Sequence, residues 1–63
     1  MEAHQERVVE EKTELDTKLG KLRNFLQAET FDQLDKAEQD RLRRQSLIMG
    51  EYSDVLQERI SAF

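Results

Sequence analysis

Sixty-three residues without a cysteine make one small domain that neither a disulfide nor a zinc–thiolate centre can brace, so self-association is the expected source of stability. A formal net charge of −4 argues against a binder of polymeric nucleic acid, yet a small anionic ligand needs only local positive charge. No apolar run approaches membrane-spanning length and no signal-peptide pattern opens the chain, which predicts a soluble, cytoplasmic protein without a membrane partner.

From about residue 2 to 28 the apolar residues Val8, Leu15, Leu19, Leu22 and Leu26 recur at helical intervals, and Lys12 occupies the one missing position. That predicts a long amphipathic helix. Its first half is acidic, with six carboxylates against Arg7 and Lys12 between Glu2 and Asp16. The charge then reverses, because Lys18, Lys21 and Arg23 follow with no acid between them.

Residues 29–35 read as a joint. Thr30 with Gln33, and Asp35 with Glu38, each have the spacing of a capping box, which predicts a turn of helix near Phe31 to Leu34 and a fresh start at Asp35. Phe31 and Leu34 would plug the end of the hairpin.

A second helix is expected over about 36–61. Leu42, Met49, Leu56 and Phe63 recur by sevens, with Gln45, Tyr52 and Arg59 on the intervening seam positions. Polar Gln45 and Arg59 in such a seam either set the pairing, the more ordinary role, or line a site. Beside the seam runs a second stripe, through Lys18 and Phe25 on the first helix and Arg41, Ile48 and Val55 on the second. Two stripes exceed what one partner helix covers, so Phe25, Ile48 and Val55 are expected at an oligomer interface with Lys18 and Arg41 at its edge.

The expected architecture is therefore all-α: one domain, an antiparallel helical hairpin with a short helical turn at its joint, assembling into a helical homo-oligomer. A simple turn near Thr30 to Leu34 would set Lys18 against Gln45, Lys21 against Arg43 and Arg23 against Arg41. These five cations, joined by Arg44, would then form a belt of six around the joint. Charge pattern alone favours a solvated face with weak ion pairs, but Arg forks and Lys ammoniums also suit phosphate. Gly20 and Gly50, inside the helices, point to close approach by another helix or a ligand.

No Ser-His-Asp, Cys-His or HExxH arrangement and no phosphate-binding glycine loop is present, and the lone His4 has no companions at metal-ligand spacing. The sequence predicts a protein that is not an enzyme and uses no metal or cofactor.

The run from His4 through Gln5, Glu6, Arg7, Val8, Val9, Glu10 and Glu11 to Lys12 is followed by Leu15, Lys18-Leu19, Lys21-Leu22, Phe25-Leu26 and the Phe31-x-x-Leu34 joint. Together with Leu42, Gln45, Met49, Tyr52, Leu56 and Arg59-Ile60, it resembles the hairpin domain of the phage anti-CBASS and anti-Thoeris cyclic-nucleotide sponges. The resemblance spans nearly the whole chain. It implies a viral immune-evasion protein, acting in the cytoplasm of the infected bacterium as a compact homohexamer that sequesters cyclic di- or trinucleotide messengers without chemistry.

It also implies a base-stacking ring near the start of the first helix, where His4 stands, and a phosphate-binding lysine at Lys18. Arg41, Arg44 and Arg59 are the open choices for arginines about a threefold axis. The expected site is thus Lys18, Arg41 and Arg44 for phosphate, with His4, Gln45 and Tyr52 for the bases. The competing expectation is a helical-hairpin interaction module with no nucleotide ligand. A less supported third is a DNA mimic exploiting the acidic Glu2 to Asp16 stretch.

Overall fold

A computed structural model describes residues 1–63 as three helices: α1 (Ala3–Leu26), the single turn α2 (Glu29–Asp32) and α3 (Lys36–Ser61). α1 begins where the Gln5 side chain accepts a hydrogen bond from the Glu2 backbone N–H at 2.9 Å, satisfying one of the free donors of the first turn. It ends in tightened bonds from the Gln27 and Ala28 N–H groups to the carbonyls of Asn24 and Phe25. α1 and α3 pack along their length as an antiparallel hairpin.

The α1 stripe buries as its spacing requires, with Val8 and Leu19 buried and Leu15, Leu22 and Leu26 half-buried against α3. On α3, Leu42, Met49 and Leu56 face inward, and Leu56 is fully buried. The intervening seam positions differ from expectation. Gln39, Ser46, Ser53 and Ile60 occupy them, while Gln45, Tyr52 and Arg59 are exposed. Across that seam polar Lys12 meets polar Ser53.

The joint also differs from the capping scheme. Thr30 lies within α2, whose N-cap is Ala28, and no side chain caps it. The turn is instead held at its C-terminal end. Gln39 of α3 donates its amide to the carbonyls of Phe31 and Leu34, at 3.0 and 3.1 Å, satisfying groups that a four-residue helix leaves free. Asp35 is the N-cap of α3 without a side-chain cap bond, and Glu38 turns to Arg41 instead.

Phe31, 2% exposed, is the plug of the joint. Phe25 meets it edge-on with ring centroids 6.0 Å apart, and the Arg43 guanidinium lies 5.1 Å from its centroid. Because α2 and Phe31 pack beneath the first turns of α3, those turns overhang the end of α1. The register shifts accordingly: Ser53 bonds Asp16 as well as Lys12, and Arg23 reaches Gly50. That is roughly one helical turn from the pairing of a simple bend.

The result is a rod of 45 × 14 × 13 Å with a radius of gyration of 14.5 Å, where a compact chain of this length would have about 10.6 Å. Its accessible surface of 4866 Å² exceeds the roughly 4,200 Å² of a compact monomer of this mass. The excess is the second face of a two-helix layer.

Candidate functional site

One groove of the hairpin is lined by Lys12, Asp16, Gly20 and Arg23 of α1 and by Gly50, Ser53 and Asp54 of α3, and encloses about 280 Å³. By helical phase, the other side of the seam carries Lys18 from α1 and Arg41, Gln45, Ile48, Tyr52, Val55 and Arg59 from α3. This outer stripe has the seven-residue repeat of a packing seam, yet no helix of the chain covers it. Ile48, Tyr52 and Val55 are 57%, 43% and 49% exposed.

At the joint end of the stripe, Arg41, Arg44, Gln45, Ile48 and Met49 line a shallow depression of about 310 Å³. All five stand on α3. The depression combines an apolar floor with two guanidiniums, which is the chemistry of a surface that takes a partly apolar anion.

The cations do not gather at one level. Arg41 is held by Glu38 at 2.8 Å, and that hydrogen bond, with the carboxylate's charge, raises the guanidinium pKa further above its ordinary range. Arg43 pairs with Asp40 at 3.3 Å and covers Phe31, while Arg23 lies in the opposite groove. Lys18, Lys21 and Arg44 are exposed and enter no ion pair. With Asp16 beside Ser53, Lys18 stands level with the turn of α3 that carries Tyr52, and roughly 15 Å along the rod from Arg41. Lys18 therefore stands about one helical turn beyond the Gln45 it was expected to face.

His4 is exposed in the first turn of α1. Phe25, expected at the subunit boundary, is half-buried against Phe31, so its ring works inside the joint. Gly20 faces open space, since a Cβ added there would meet nothing within 4 Å. Gly50 is different: the Arg23 guanidinium would lie 3.2 Å from such a Cβ, so this glycine makes room for a side chain crossing the groove.

A polar triangle inside the hairpin escaped the sequence reading. Lys12 Nζ donates to Asp16 Oδ2 at 2.7 Å and to Ser53 Oγ at 2.9 Å, and the Ser53 hydroxyl donates to Asp16 Oδ1. Ser53 is buried at 7% exposure, and no buried side-chain polar atom in the chain lacks a partner. The hydrogen bonds from Lys12 and then Ser53 hold the Asp16 carboxyl below its ordinary pKa of 3.8. The signal was the gap itself, a lysine in the α1 stripe with an aspartate one turn later, needing a polar partner across the seam.

No group of three His, Cys, Asp or Glu side chains is placed to hold a metal ion, and no helix is long and apolar enough to cross a membrane. Comparison with curated proteins and with solved structures finds no match. A family model described as Sequestin matches residues 2–62, from the first turn of α1 through the last of α3, and the chain belongs to the Sequestin family.

Proposed function

We propose that this protein is a phage-encoded, non-catalytic sponge that sequesters cyclic oligonucleotide messengers of bacterial antiphage signalling between protomers of a homohexamer. The observation that carries the reading is the outer stripe. An uncovered seam of Ile48, Tyr52 and Val55 runs between free cations, and its one depression is walled by a single helix. A second subunit laid on that stripe would complete the wall and bury the apolar floor.

Membership of a family whose name denotes sequestration supports binding without turnover. So does the resemblance to cyclic-nucleotide sponges. In this reading Lys18 and Arg44 answer phosphate charge, with Arg41 joining them when it exchanges Glu38 for ligand. Tyr52, Gln45 and His4 offer ring faces and amide groups to the bases, and Ile48 and Val55 make the subunit contact. Such a protein acts in the host cytoplasm by lowering free messenger concentration, so no reaction step is required of it.

A panel of cyclic di- and trinucleotides in a thermal-shift assay tests this. A ligand that binds only the folded assembly raises its melting temperature in proportion to the logarithm of its concentration. At least one member should do so, and Lys18→Ala with Arg44→Ala should abolish the shift. No shift with any member contradicts the proposal.

One observation favours a second reading, an interaction module without a nucleotide ligand: Arg41 and Arg43 are already neutralised by Glu38 and Asp40. That reading predicts that the same substitutions leave function intact while polar residues at Ile48 or Val55 destroy it.

A further inference from the structure

We propose that the Lys12–Asp16–Ser53 triangle is a positioning device that selects which face of α3 turns toward α1, and so delivers Tyr52 and Ile48 to the outer surface. α3 carries two competing seams. The one buried against α1 combines Leu42, Met49 and Leu56 with Gln39, Ser46, Ser53 and Ile60. A turn of α3 by roughly 50° would keep the same leucines and methionine near α1 while exchanging Ser46 and Ser53 for Gln45 and Tyr52.

Apolar burial alone does not prefer the observed face. The Tyr52 ring covers more apolar surface than a serine, and the repeat by sevens of Leu42, Met49 and Leu56 serves either phase. What separates the two is Lys12. In the observed phase its ammonium, 20% exposed, has the Asp16 carboxylate at 2.7 Å and the Ser53 hydroxyl at 2.9 Å. In the turned phase it would face the Tyr52 ring, and Ser53 would leave the seam, breaking two of the three bonds.

Polar residues in helix seams characteristically trade stability for a unique pairing. Ser46, one heptad earlier on the same seam, cannot substitute without giving up its own bond to the Arg43 carbonyl at 2.8 Å. The Phe31 cage fixes the joint end of the hairpin, and the triangle fixes the phase of α3 about 15 Å farther along the rod. The triangle touches no ligand in this account; its consequence for binding rests on the proposed site, but its existence does not.

Nitroxide labels at Lys21 and Leu47 test the phase directly, because the two exposed positions lie on opposite sides of the seam and the chain has no native cysteine to interfere. Labelled protein is diluted into unlabelled protein so that the distance within one chain is read. The unsubstituted pair should give one narrow distance. Lys12→Leu combined with Asp16→Ala and Ser53→Ala should give a second or shifted distance while the melting temperature stays level or rises. One narrow, unchanged distance in that variant would overturn the proposal, as would a melting temperature that falls with the distance unmoved. Should the triple variant lose its helicity, Ser53→Ala alone decides the question, since it removes the one cross-helix partner: a broadened distance supports the device and an unchanged one refutes it. Neither outcome depends on nucleotide binding, so failure here is separable from failure of the sponge reading.

Discussion

At the scale of single residues, Asp16 and Ser53 carry more than their exposure suggests. The Asp16 carboxyl is held below 3.8 by hydrogen bonds from Lys12 and Ser53. A carboxylate depressed in the folded state stabilises the fold above its unfolded pKa and loses that contribution as pH falls through its folded value. The melting temperature of the protein should therefore fall more steeply below about pH 4 than that of Asp16→Asn, which has no carboxylate to titrate. Circular-dichroism melts from about pH 5 to pH 2 check this. Parallel slopes would remove Asp16 from the balance.

These residues also show what sequence patterning misses. A hydrophobic count favours Tyr52 over Ser53 as a seam residue, because the count weighs each helix separately. In the proposed device the pairing is decided between helices, where a polar residue on one side is answered by a polar residue on the other. Lys12 was visible as a gap in the α1 stripe. Its partner was not, since Ser53 looks like an ordinary surface serine until the two helices are laid together.

At the scale of elements, α1 was legible almost residue by residue, because a single stripe of leucines admits one phase. α3 carries two interleaved stripes, so its position was legible and its rotation was not. The joint was the least legible element. Thr30 and Asp35 have the spacing of caps, but α2 is held by Gln39 and Phe31 from outside its own sequence. That dependence is testable. Phe31→Ala removes a ring that is 2% exposed and braced by Phe25 and Arg43, which should cost about 3–5 kcal/mol. Urea unfolding would read it, and a loss below about 1 kcal/mol would mean the joint collapses around the missing ring.

At the scale of the whole molecule, the rod has too little interior to stand alone comfortably. Only Val8, Leu19, Phe31 and Leu56 are buried apolar residues, while Ile48, Val55 and Tyr52 form an uncovered line on one side. Light scattering should find a multiple of the 7.5 kDa chain mass. Ile48→Asp with Val55→Asp should shift it toward the monomer, because two buried charges in a symmetric contact repeat at every interface. A wild-type monomer would leave the depression at Arg41 and Arg44 without the second wall that the proposed shared site needs.

The register changes how that site is assembled. Within one chain Lys18 stands well away from Arg44 along the rod. In the proposed site, cations of different protomers would have to come together for the ring to close. Calorimetric titration of the assembled protein with cyclic di- and trinucleotides therefore tests the account most directly. Saturable heat is expected with at least one member, and it should be lost when Ile48→Asp with Val55→Asp dissociates the assembly, as a site built between protomers requires. No heat with any member, or undiminished binding by the dissociated variant, would contradict it.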